Sequence, residues 1–172
     1  MLRKKNIKEF DRDDFNMTLA LIEANRAYSR DEVPIGACIF IDDKLVAKGY
    51  NDRNTSQNAI RHAEIMAIDR ACRKLKSWRL ENAVMYVTLQ PCPMCMGAIA
   101  NARIKKVVYG ATNQNYDNNI CELVANDKCL NHKIELVGGV KEQECKDILS
   151  KFFAEKREEN KFTAENNTNN ND

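Results

Sequence analysis

Four side chains in this 172-residue chain have the types and spacing for metal-assisted hydrolysis: His62, Glu64, Cys92 and Cys95. The first two lie in Arg61-His62-Ala63-Glu64-Ile65-Met66-Ala67 and the cysteines in Thr88-Leu89-Gln90-Pro91-Cys92-Pro93-Met94-Cys95. Zinc takes four ligands, at about 2.3 Å to sulfur and about 2.0 Å to nitrogen. His62, Cys92 and Cys95 supply all but one, so water completes the tetrahedron, as in a catalytic rather than a closed structural site. Glu64 is then the candidate proton shuttle. Zinc brings the pKa of its water from about 16 to about 7, on the order of 12 kcal/mol in favour of hydroxide. General acid–base catalysis contributes about 10²–10⁴-fold, or roughly 3–5 kcal/mol. Loss of a ligand should therefore abolish activity, and loss of Glu64 should cripple turnover with the metal retained.

Two other readings use the same residues. A lone Cys-x-x-Cys can be a redox pair, but such motifs do not require a His-x-Glu upstream. A structural zinc site needs a further permanent ligand, for which Cys72, Cys121, Cys129, Cys145 and His132 are available. None of these has paired spacing, and Cys72 and Cys145 fit apolar helical stripes.

The surrounding elements must bring the ligands together. Positions i and i+2 do not share a helix face, so His62 and Glu64 converge only at a helix's first turn. The spacing predicts that helix over about Ala63–Leu75, with Ile65, Ile68, Cys72 and Leu75 as its core stripe. Cys92 and Cys95 lie in the turn entering Pro93–Ala102, which is apolar nearly all round and predicted to be buried. A helix N-terminus there favours thiolate over thiol.

Upstream, Asp13 and Asp14 can cap a helix carrying Phe15, Leu19, Ile22 and Arg26 at helical intervals, stopped by Pro34. The continuous apolar run Ile35–Ile41 reads as a strand buried on both faces. Asp42-Asp43 is a two-residue turn into a partner strand, Lys44–Tyr50, and Asn51–Ala59 reads as a loop. Further strands are predicted at Ala83–Leu89 and Lys106–Ala111, then a glycine-free loop over Asn113–Asn119 and a short helix around Ile120–Ala125. Lys133–Val137 suits an outer strand. In the last helix Cys145, Ile148, Leu149, Phe152 and Phe153 fall on one face. Alternating strands and helices indicate an α/β fold in which an antiparallel hairpin feeds a mostly parallel sheet, with the site at the carboxyl ends of strands.

The length suits one domain burying roughly 70% of its unfolded surface. Residues 1–12 read as a basic arm, 13–158 as the catalytic domain and 159–172 as a disordered Asn-rich tail. A net charge of +2 excludes a polycation, so nucleic-acid affinity needs a local basic patch. The chain shows neither a signal-peptide h-region nor the ~20-residue apolar run of a membrane span. Seven cysteines, an odd number, without an export signal indicate reduced thiols and a cytoplasmic location.

His62-Ala63-Glu64 with Pro91-Cys92-Pro93-Met94-Cys95 resembles the signature of the zinc deaminases that act on nucleobases. The likeness extends to Glu32-Val33-Pro34-Ile35-Gly36-Ala37, Gly49-Tyr50-Asn51, Met96-Gly97-Ala98-Ile99, Arg103-Ile104 and Val107-Val108-Tyr109-Gly110-Ala111. It continues through Leu130-Asn131-His132, Gly138-Gly139-Val140 and the helix Cys145–Arg157, covering about residues 13 to 158. In these the chain is similar to the bacterial tRNA-specific adenosine deaminases. That resemblance implies a cytidine-deaminase-like three-layer α/β/α sandwich, a mixed sheet of about five strands with helices on both faces. It implies one Zn²⁺ per subunit and hydrolytic deamination of the wobble adenosine in a tRNA anticodon to inosine, releasing ammonia. The implied partners are a tRNA anticodon stem-loop and a second copy in a homodimer. Asn51 would hydrogen-bond the purine, unless it merely serves the turn after its strand, and the Ala63 backbone would contact the flipped base. Phe152, Phe153, Lys156 and Arg157 match the helix end that approaches RNA. Packing accounts equally for the two phenylalanines, and an ordinary solvated face for Lys156 and Arg157.

The chain departs from the family at Gln90, where Glu is common, at Arg61, where a small residue is usual, and in the glycine-free Asn113–Asn119 loop. A deaminase of the same fold acting on a free base or small metabolite, guanine or cytosine, is the nearest alternative function. An RNA-binding partner subunit without catalysis is the other, and it would lack Glu64.

Overall fold

The computed structural model describes residues 11–115, 119–128, 130 and 132–168, so the basic arm lies largely outside the described residues. Strand β1 (Gly36–Ile41) is buried along nearly its whole length, as its unbroken apolar run requires. The turn at Asp42-Asp43 has φ of 48° and 61°. Positive φ at both central residues is the hairpin geometry that follows strand twist, and β2 (Lys44–Tyr50) returns antiparallel to β1. On its other side β1 pairs antiparallel with β3 (Val84–Leu89), and β3, β4 (Lys106–Ala111) and β5 (Glu135–Val137) run parallel. The sheet order is β2-β1-β3-β4-β5.

Alternation along the strands divides the core. Ala37, Ile39, Met85, Val87 and Val107 face helices α3 (Ala63–Leu75) and α4 (Pro93–Asn101), with α5 (Asn119–Ala125) beside them. Cys38, Phe40, Tyr86 and Val108 face α1 (Arg12–Tyr28) and α6 (Glu142–Thr168). This is the three-layer α/β/α sandwich with a mixed five-stranded sheet. A short helix, α2 (Arg53–Ser56), interrupts the segment expected to be all loop.

The core stripes of α1 and α3 differ from the expected ones by about one position. Phe15 and Ile22 are half exposed and Leu75 is 41% exposed, whereas Ala20, Ala24 and Ala27 of α1 and Ala63, Ala67 and Ala71 of α3 are buried. Small residues face the sheet because the helices lie almost on its backbone. A Cβ on Gly36 would stand 2.1 Å from Ala20 O, and one on Gly49 would stand 2.2 Å from Ala63 O. The larger aliphatics are displaced to the helix shoulders, where Ile68 and Cys72 still pack against the core. Asp11 rather than Asp13 or Asp14 caps α1, accepting from both their N–H groups, and the helix ends at Tyr28, ahead of Pro34.

Helix α6 runs past Arg157 and into the Asn-rich stretch as far as Thr168, and residues 169–172 of the expected tail lie outside the described residues. Propagating a helix adds one backbone bond per residue fixed and needs no tertiary contact. Lys156 Nζ meets Glu159 at 2.8 Å and the Thr163 hydroxyl donates to Glu159 O, local bonds that continue it past the core.

Candidate active site

Both ligand groups open helices. His62 is the N-cap of α3 and Cys92 the N-cap of α4, both in extended conformation, and neither side chain caps its own helix. Their side chains turn toward each other instead. His62 Nδ1 lies 3.7 Å from Cys92 Sγ and 3.5 Å from Cys95 Sγ. A tetrahedral zinc with the usual bond lengths separates a nitrogen from a sulfur by about 3.6 Å, so both nitrogen–sulfur edges match a zinc site, and all three ligand atoms lie within 4.8 Å of one another. Among the described residues, these are the side chains grouped closely enough to hold an ion. Cys121 instead donates to Pro91 O, and Cys145 is buried on the opposite face of the sheet. Cys129 lies outside the described residues.

Glu64 follows two residues into α3, within the first turn that convergence with His62 demands, and is 4% exposed. Burial raises its carboxyl above the ordinary range, giving it the capacity to hold a proton. The Cys95 S–H, outweighing burial, draws Cys92 down to about 4, with a further contribution from His62. The same bond and burial raise Cys95, and the bond to Cys92 raises His62. Two helix N-termini and a divalent cation favour thiolate on both sulfurs.

A cavity of about 560 Å³ opens over this group, with Asn51, His62, Glu64 and Cys92 in its wall and Val33, Ile35 and Leu89 supplying apolar surface. Asn51, 3% exposed, directly follows β2, and its Nδ2 donates to Glu32 Oε2 at 3.2 Å. Glu32 is fully buried, and its Oε1 accepts the Thr55 N–H at 2.6 Å. A carboxylate only accepts, so the amide nitrogen of Asn51 must face Glu32. Ala63 occupies the first position of α3, where its N–H has no intrahelical acceptor. Gln90 joins the ends of β3 and β4, its Oε1 accepting the Asn113 N–H.

The structure separates the α6 residues singled out above. Phe152 is buried against Tyr28, whereas Phe153 is 44% exposed and lines the cavity. Lys156 is engaged by Asp31 at 2.5 Å and by Glu159, and Arg157 is exposed. Sequence reasoning assigned no role to Glu32, Arg53 or Lys146, of which the last two line the cavity. The signal for Glu32 was a carboxylate set directly before a strand buried on both faces.

Comparison with known proteins gives consistent results. The family model for MafB19-like deaminases matches residues 11–157. The tRNA-specific adenosine deaminase of Bacillus subtilis (strain 168) is 43% identical over 156 residues, covering 90% of this chain and 96% of that one. A structure solved in work on A-to-I editing by tRNA deaminases at the wobble position has a TM-score of 0.73 at 37% identity, covering 78% of this chain and 99% of that one. The fold extends further, to a guanine deaminase of Nitrosomonas europaea with a TM-score of 0.73 at 21% identity, covering 82% and 84% of the two chains.

Proposed function

Because this chain belongs to the MafB19-like deaminase family and to the tRNA-specific adenosine deaminases, we propose that it converts the wobble adenosine of a tRNA anticodon to inosine by hydrolytic release of ammonia. The chemistry rests on one observation, the His62–Cys92–Cys95 triangle with buried Glu64 beside it under an open cavity. The choice of substrate rests on identity that spans nearly the whole length of an adenosine deaminase.

His62, Cys92 and Cys95 would hold one zinc per subunit. Zinc, when bound, supplies a Lewis acid that makes water nucleophilic near neutral pH. Glu64 accepts a proton from water, passes it to a ring nitrogen and assists the departing ammonia. Its burial suits that task, since a carboxyl raised toward neutrality both takes and gives a proton. Asn51 reads the purine edge with its amide fixed by Glu32, and the Ala63 N–H, at the first position of α3, offers a second polar contact. Val33, Ile35 and Leu89 give the base apolar surface in a cavity of ordinary ligand size. An unpaired anticodon base needs little energy to turn outward into such a cavity.

Arg53 and Lys146 at the cavity wall, with exposed Arg157, supply local positive charge for RNA in a chain of net charge only +2. A homodimer is supported by α4, whose sequence is apolar nearly all round but whose Met94 is 38% exposed in the single chain. A tRNA substrate supports a cytoplasmic location for the enzyme. Among the described residues no helix is long and apolar enough to cross a membrane.

Inosine formation on an adenosine-bearing anticodon stem-loop, measured beside deamination of free guanine and cytosine, tests this reading. Turnover of the stem-loop is expected, and activity confined to free bases refutes it. Glu64→Ala should keep about one zinc per chain while losing the 10²–10⁴-fold that acid–base catalysis contributes. Cys92→Ala should lose the metal.

A further inference from the structure

Between Asn51 at the end of β2 and His62 at the start of α3, the chain makes one excursion whose neck is tied twice. The Asp52 N–H donates to Arg61 O at 3.0 Å. The Arg61 side chain closes the same neck, with Nε at 3.0 Å and Nη2 at 2.8 Å, both on Asp52 Oδ2. The tip between them is exposed from Arg53 to Ile60. Its Thr55 N–H is held by Glu32, but its side chains form no part of the core.

Most exposed ion pairs contribute little to a structure. This one differs on its acidic side. The Asp52 side chain is 12% exposed, and its Oδ1 is buried with no hydrogen bond among the described residues. Arg30 Nη2 approaches that oxygen only to 4.0 Å. Arg61 therefore supplies the hydrogen bonds that hold this carboxylate, and two N–H groups converging on one oxygen fix direction as well as charge. The residues bonded across the neck are direct chain neighbours of a cavity-wall amide on one side and a metal ligand on the other.

We infer that Asp52 and Arg61 form a positioning clamp that sets the spacing between Asn51 and His62, and so couples base reading to the metal-bearing start of α3. The Asn51 half of this rests on the proposed function; the His62 half does not. The clamp also gives Arg61, which departs from the small residue usual there in the resembling family, a definite task.

The test uses the full zinc-loaded chain with Asp52→Asn, Arg61→Gln, Arg61→Lys and the double variant Asp52→Asn/Arg61→Gln. Three readouts are compared: the rate of zinc loss to a chelator, amide exchange over residues 52–62, and kcat and KM on an anticodon stem-loop. Losing a charge-assisted pair of this kind should speed zinc loss and exchange, and raise KM, each by about tenfold, with kcat falling less. The double variant should be no worse than either single one, because the second change removes a partner already lost. Arg61→Lys, which keeps charge without the paired N–H geometry, should fall between wild type and Arg61→Gln. Additive effects in the double variant overturn the clamp. So does a fall in melting temperature with zinc loss and KM unchanged, which marks a structural role only. If the wild-type chain leaves the stem-loop untouched, the proposed function fails, while zinc loss and exchange still decide the His62 half.

Discussion

Glu32 offers a perturbation whose size can be worked from its two bonds. It is fully buried and accepts from the Thr55 N–H at 2.6 Å and from Asn51 Nδ2 at 3.2 Å. Glu32→Gln keeps the volume but has one oxygen for two donors, so an amide N–H must face another N–H. A buried donor left without its acceptor costs about 1–3 kcal/mol. At roughly 2–4 °C per kcal/mol for a chain of this size, the melting temperature should fall by about 2–12 °C. If Asn51 is the donor released, its amide turns in the cavity wall, and misplacement of a substrate-positioning group by about 1 Å can lower kcat/KM by up to about 10²-fold. Circular dichroism melts and steady-state inosine formation measure the two effects. Wild-type melting together with wild-type kcat/KM in Glu32→Gln would refute both the buried-acceptor reasoning and the claim that Glu32 fixes Asn51.

The other predictions follow from equally specific contacts. Gly49→Ala puts a Cβ 2.2 Å from Ala63 O and 2.6 Å from Ala67 N, so α3 must shift off β2. Overpacking of that kind costs about 1–3 kcal/mol, and because Ala63 adjoins His62, zinc affinity measured by chelator competition should fall with stability. Burial and then the bond to Asp13 push the Tyr86 phenol up to about 12, whereas an unfolded tyrosine ionises near 10. The stabilisation from this shift is complete below about pH 10 and is lost as pH rises toward 12, because the unfolded chain releases its proton first. Melting temperature should therefore drop more steeply over that window in wild type than in Tyr86→Phe, and parallel curves contradict the assignment. Truncation after Lys161 removes residues beyond the packed part of α6 and should change stability by no more than about 0.5 kcal/mol; a large loss on denaturant titration counts against it.

The strands and the start of α3 were legible because hydrophobic runs, turns and ligand spacing all pointed the same way there. The convergence of His62 and Glu64 at a first helical turn followed from i,i+2 geometry alone. The inner faces of α1 and α3 were not legible. Apolar periodicity weights large side chains, yet at Gly36 and Gly49 the helices come so close that alanines carry the contact with the sheet. Glu32, Asp52 and Arg61 were hidden for a different reason: a charged residue gains structural meaning only from its partners. Arg61 stood out as a departure from its family, but nothing local linked it to Asp52 across the exposed loop. The continuation of α6 to Thr168 has no apolar stripe to announce it in the sequence, and local bonds such as those to Glu159 carry it past the core.

The two helices that open on His62 and Cys92 have a consequence for protein turnover. Each start uses as its cap position a residue whose side chain turns to the candidate metal site, not to the helix's own first N–H groups. With zinc bound there as proposed, metal loading and the integrity of α3 and α4 are linked equilibria. An ion held at a hundred times its dissociation constant adds about 2.7 kcal/mol to the folded state. In a cell short of zinc, the population deprived of metal loses that margin along with its catalysis. Proteases that sample locally opened chains would clear it first, so scarcity would reduce the amount of enzyme as well as its activity, and the molecules that remained would be those already loaded.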